Sequence, residues 1–134
     1  VPETVKDFKN SKQFIEKMNE LMRDFLQGKK DYNDKEIQKY FLDKDNSIIW
    51  NREYGNDLIN CDQVEQVTKM LNVGGMIVGH TIQNKINSKC DNKLWRVDVG
   101  ISSIFDTNNF TVLEILDDGV KLPKNMFSPF NILG

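Results

Sequence analysis

The chain predicts a mixed fold, helices first and strands later: an α+β arrangement, or a piece of a layered α/β fold. Three observations point there. Apolar residues recur at three- and four-residue steps in the first third, apolar alternation of period two appears only beyond Met76, and no internal repeat or low-complexity tract interrupts either pattern.

From Ser11 to Leu26, the positions Phe14, Ile15, Met18, Leu21, Met22, Phe25 and Leu26 form one apolar stripe, with Ser11 as the expected cap and Gly28 as the close. Its aromatic and methionine positions are expected to be core rather than a partner groove. A shorter helix is expected from Asp34, its N-cap, to about Phe41. After the turn "DKDNS", Ile48 and Ile49 can enter a buried surface while Arg52 and Tyr54 emerge into a loop. Asp62 and Glu65 make a capping-box-like start for a helix carrying Val64, Val67, Met70 and Leu71, which "NVGG" ends.

Met76-Ile77-Val78 is short, apolar and partly β-branched, as a buried strand stopping at Gly79 would be. "NKINSKCDNK" supplies turn residues before "LWRVDVG", whose Trp95, Val97 and Val99 alternate with Arg96 and Asp98 as in a half-buried strand, with Trp95 expected in the core. "FTVLEIL" is a further strand, and "DDG", Asp117 to Gly119, signals a hairpin into "VKL". The 134 residues suit one domain, helical over 1–45 and carrying strands and a helix over 46–122.

Composition narrows the function classes. Hydrophobic residues at 39% and charged residues at 28% fit a globular protein expected to be soluble, and no apolar run reaches the ~20 residues a membrane span needs. A net charge of −2, with lysines interleaved among acids as in "GKKDYNDKE", disfavours sequence-independent nucleic-acid binding. Cys61 and Cys90 form no C-x-x-C pattern and are expected to be reduced thiols in a cytoplasmic setting. The opening "VPETVKDFKN" reads as an interior point of a longer product. Asn109-Phe110-Thr111 fits a glycosylation acceptor, a tripeptide that also arises by chance.

His80 is the only histidine, and glycine precedes it at the end of a strand, where open sheets place ligand-binding residues. Imidazole there is a metal ligand or an ordinary turn residue. A catalytic metal needs about three protein ligands, and no spacing groups carboxylates such as Asp98 around His80. Arg52, in "WNREY", offers a planar fork suited to a phosphate dianion, or else stacks on Trp50 or pairs with Glu53. Tyr54 can donate to the same phosphate or simply pack. Neither a G-x-S-x-G elbow nor a P-loop is present.

Taken in order, "IIWNREY", "CDQVEQVTKMLNVGGMIVGHTIQ", "INSKCDNKLWRVDVGIS" and "VLEILDDG" resemble the C-terminal half of calcineurin-like metallophosphoesterases, closest to the branch called Shewanella-like phosphatases. The likeness runs from about Ile48 to Gly119. It implies a two-metal phosphomonoesterase built on a β-sandwich flanked by helices. His80 would ligate the dinuclear centre of Mn, Fe or Zn, Arg52 would bind the substrate phosphate with Tyr54 lining the cleft, and Asp98 would stand behind the G-H loop as a supporting residue.

The family's D-x-H, G-D-x-x-D, G-N-H-[ED] and H-G-G motifs, and the general acid that goes with G-N-H, are not in these residues. The resemblance therefore implies a partial domain over 1–134, whose partners are the missing N-terminal half and a phosphorylated substrate, possibly a phosphoprotein, with no role for nucleic acid or membrane. The isolated chain would hold no metal stably and have no substantial activity. The alternative is a non-catalytic binding or regulatory domain that keeps part of the phosphoesterase fold.

Overall fold

A computed structural model describes residues 10–44, 47–102, 104, 111–116 and 119–121, the last three by backbone alone. Asn109, Phe110, Asp117 and Asp118, which carry the glycosylation and hairpin-turn expectations, lie outside the described residues. The architecture is α+β, in two compact units: Val1–Glu53 with Asp62–Gly74, and Tyr54–Cys61 with Gly75–Gly134.

In the first unit, helix α1 spans Ser11–Leu26 as the apolar stripe predicts. Its cap is Asn10 rather than Ser11, because Asn10 is extended and its Oδ1 accepts from the Gln13 N–H at 2.8 Å. At the other end Gly28 takes φ +70 and donates its N–H to the Phe25 carbonyl at 3.0 Å, a left-handed close that glycine adopts without a Cβ penalty.

Helix α2, Lys35–Ile37, starts on Asp34, whose Oδ1 accepts from the N–H groups of Glu36 and Ile37. The Lys30 ammonium donates to Asp34 Oδ2 at 2.6 Å and holds that carboxyl below its ordinary range, helped by the Ile37 and Glu36 N–H groups. The chain then widens into a π-helical turn, Gln38–Leu42. Phe14, Met18 and Leu21 of α1 pack with Ile37, Tyr40 and Phe41, joined by Met22, Phe25, Leu42, Ile48, Met70 and Leu71. Each fully buried apolar side chain contributes about 1.5–3 kcal/mol, so this cluster carries the unit. Ile48 joins it, whereas Ile49 and Trp50 stay half exposed in the turn that follows buried Ser47. Helix α3, Cys61–Leu71, buries Val64, Val67 and Thr68.

The second unit holds a mixed three-stranded sheet in the order β1-β3-β2 and a two-stranded antiparallel pair, β4-β5. Strand β1, Met76–Val78, runs parallel to β3, Leu94–Arg96, while β2, Asn87–Lys89, pairs antiparallel with β3. Strands β4, Glu114–Leu116, and β5, Gly119–Lys121, pair antiparallel, with Glu114 opposite Lys121.

Four expectations need correction here. The stretch "NKINSKCDNK" is not all turn: Asn87–Lys89 form β2, since pairing with β3 outweighs the poor strand propensity of Asn and Lys. The alternation along β3 has the opposite phase, with Leu94 and Arg96 buried and Trp95 only partly so. Strand β1 lies at a sheet edge, and its Ile77 is 47% exposed rather than buried. Cys61 and Cys90 are not reduced thiols. They are 5.2 Å apart at Cα and joined as a disulfide within the second unit, a proximity that a sequence separation of 29 does not reveal.

Candidate functional site around His80

The parallel register pairs Val78 with Arg96, so His80 and Asp98 each stand two residues beyond the paired ends, at the carboxyl edge of β1 and β3. This edge is where parallel strands deliver ligand-binding residues. His80 has φ +66 and an exposed side chain. Histidine is among the few non-glycine residues that visit this left-handed region, at a cost of roughly 1–2 kcal/mol. A turn that costs free energy persists only when its surroundings over-determine it.

Gln83 is what over-determines it. Its backbone N–H donates to the Asp98 carbonyl at 2.8 Å, and its side-chain Nε2 donates to the carbonyls of Gly55, at 3.0 Å, and Thr81, at 2.9 Å. The loop is thus fastened to the end of β3 on one side and to the Glu53–Gly55 3-10 turn on the other. Asp98 turns its own carboxylate to the Gly100 N–H at 2.9 Å, which fixes the segment that receives Gln83. Gly55 lies so close to the loop that a Cβ there would collide with the Thr81 side chain.

Arg96 braces the same turn from beneath. Its side chain is only 5% exposed, and Nη1 donates to the carbonyls of Gly55 at 3.2 Å and Asn56 at 2.9 Å. Nε donates to Asn87 Oδ1 at 2.7 Å, and Asn87 Nδ2 reaches Gln83 Oε1 at 3.4 Å. Asp57 is 3.5 Å from the guanidinium but 90% exposed, so neutral acceptors rather than a carboxylate do most of the work of holding this buried cation.

The second unit therefore brings together three of the four residues singled out from the sequence. His80 sits on the loop, Asp98 anchors it by main-chain contact, and Tyr54 immediately precedes the Gly55 that the loop touches. Arg52 is exposed and belongs to the first unit. Sequence reasoning did not pick out Gln83, Asn87, Gly55 or Arg96. Gln83 closes "GHTIQ" and Arg96 opens "RVDVG", but nothing in their spacing shows that they meet at one carbonyl.

Among the described residues no group of three or more His, Cys, Asp or Glu side chains could hold a metal ion. A catalytic metal centre takes about three protein ligands, and His80 is the one candidate that the sequence singled out in this unit. No helix among the described residues is long and apolar enough to cross a membrane.

Over 81% of its length the chain is similar to curated proteins that include one from a virus and one from a plant. It is 35% identical to an uncharacterised protein of Acanthamoeba polyphaga mimivirus and 31% identical to Shewanella-like protein phosphatase 2 of Arabidopsis thaliana. The chain spans 53% of the length of the viral protein and 28% of the plant phosphatase. No family model matches it, and no solved structure matches it.

Proposed function

We propose that this chain is the C-terminal portion of a metal-dependent phosphatase that hydrolyses phosphate monoesters, phosphoproteins among them. The observation that carries the reading is the His80 loop. An exposed imidazole stands in a left-handed turn at the carboxyl edge of a parallel strand pair, clamped by Gln83, in a chain similar to a protein named as a phosphatase.

A pair of divalent ions, Mn, Fe or Zn, would activate a water and neutralise phosphate charge in such a centre. The part given to this chain is narrower. His80 presents one imidazole ligand, and the Gln83, Asp98 and Gly55 contacts fix where that imidazole can point. Arg52 would bind phosphate oxygens through its guanidinium, and Tyr54 would offer a hydroxyl to the substrate, as the resemblance implies. The other ligands and the general acid come from the N-terminal half of the parent, which also completes a calcineurin-like sandwich over the half-exposed face of β1. On this reading the chain alone is inactive.

The Cys61–Cys90 bridge favours an oxidising setting over the cytoplasmic one that two dispersed cysteines suggested.

The test is Mn-dependent hydrolysis of p-nitrophenyl phosphate by the complete gene product. Arg52→Ala should raise KM about 10- to 100-fold, the loss of charge-assisted contacts to phosphate. An unchanged KM would remove Arg52 from the site, and a complete product without hydrolysis would favour the non-catalytic alternative.

A further inference from the structure

Beside the His80 loop, within the second unit, lies a cleft of about 480 Å³. Thr81, the residue after His80, forms part of its wall, and Lys85, Lys89 and Arg96 line it against a single carboxylate, Asp57. The chain as a whole has more acids than bases, 20 against 18, so this is a local reversal of charge. Asp57 is 90% exposed and directed at Arg96. Among the described residues no carboxylate pairs with Lys85 or Lys89, whereas Lys12, Lys17, Lys29, Lys30 and Lys69 each have an acidic partner.

Two lysines in a concave, mostly polar site will attract an anion that can reach both. Ile82, 45% exposed, also lines the cleft and offers an aliphatic surface for the stems of bound side chains. A long polyanion would meet the net negative charge of the rest of the chain, whereas a short acidic peptide need occupy only the cleft.

We infer that this cleft is a docking subsite for carboxylate side chains flanking the phosphorylated residue of a peptide substrate. The inference rests on the phosphatase reading for its geometry, because the wall formed by Thr81 places the flanking residues next to whatever His80 helps to hold. Lys85 and Lys89 supply the charge, Asn84 and Asn87 polar contacts, and Arg96 a buried positive potential behind them.

The experiment is fluorescence anisotropy on this chain with a labelled phosphoserine peptide bearing glutamates on both sides, against the same peptide bearing glutamines. The glutamate peptide should bind about 10-fold more tightly at low salt, and the preference should shrink as salt screens exposed charge. Lys85→Glu with Lys89→Glu should abolish the preference, and Asp57→Asn should enlarge it. Equal affinities for the two peptides, or a preference that survives the double variant, would overturn the inference. Displacement of the glutamate peptide by equimolar inorganic phosphate would also overturn it, by giving the cleft to phosphate rather than to carboxylates. Binding is read without turnover, so an acid preference in a protein whose complete form lacks hydrolysis would sink the phosphatase reading and leave the cleft standing.

Discussion

The side-chain amide of Gln83 donates to the Gly55 carbonyl at 3.0 Å, joining two residues 28 apart in sequence. Arg96 donates to that same carbonyl at 3.2 Å. One acceptor thus ties the loop after β1 and the side chain from β3 to the turn after Glu53, and the conformation of His80 depends on all three.

Gln83→Ala removes both bonds that Nε2 donates, and the long one that Oε1 accepts from Asn87, while leaving the Asp98 contact, which is made by the backbone. A partly buried pair of hydrogen bonds is worth about 1–3 kcal/mol. Urea titration should show the midpoint falling by that equivalent with an unchanged slope.

Gly55→Ala puts a methyl group into the Thr81 side chain. Overpacking of this kind costs about 1–3 kcal/mol. The combination with Thr81→Gly should recover most of the overpacking loss when both are compared with Thr81→Gly alone. A cost for Gly55→Ala that is the same in either background would show that the close approach is not responsible.

The Cys61–Cys90 bridge closes a loop of 29 residues, for which chain-entropy reasoning gives about 3–4 kcal/mol of stabilisation. Paired Cys61→Ser and Cys90→Ser should lower the thermal midpoint, and a thiol assay on the denatured, unreduced protein should find no free thiol from either residue.

Asp34 gives the first unit an acid-sensitive cap. Its folded carboxyl titrates below the usual value of 3.8, chiefly because Lys30 donates to it. A depressed acid stabilises the fold above its unfolded pKa and loses that contribution as pH falls through the folded one. The wild type should therefore lose more stability than Asp34→Asn between pH 5 and roughly pH 2, followed by circular dichroism of the helices. Parallel acid profiles would remove Asp34 from the account.

What could be read ahead of the structure follows the range of the interactions. Helix α1 was legible because the stripe from Phe14 to Leu26 is local, and so was the Asp34 cap, which satisfies N–H groups two and three residues on. The burial of Phe14, Met18 and Leu21 also followed, since Ile37 of α2 and Tyr40 and Phe41 of the π-helical turn pack against them, whereas Ile15 and Leu26 are exposed. The phase of β3 was misread because tryptophan looks like the core residue. Arg96 is buried instead, its charge met by carbonyls some 40 positions away that no local pattern announces. Strand β2 and the disulfide were missed for the same reason: both exist through partners distant in sequence.

Within the site, "GHTIQ" pointed to the loop and its histidine, and "RVDVG" to the strand end beside it. The cross-links through Gln83, Asn87 and Arg96 required coordinates, because they depend on side chains converging from three separate segments.

The central claim is that His80 serves a metal-dependent phosphatase centre, and the most direct measurement is the Mn titration of hydrolysis by the complete protein and its His80→Ala variant. Loss of a ligand should cut activity or Mn affinity at least about 100-fold, exceeding the effect of residues that merely support ligands. A variant with wild-type activity and the same half-saturating Mn concentration would contradict the account.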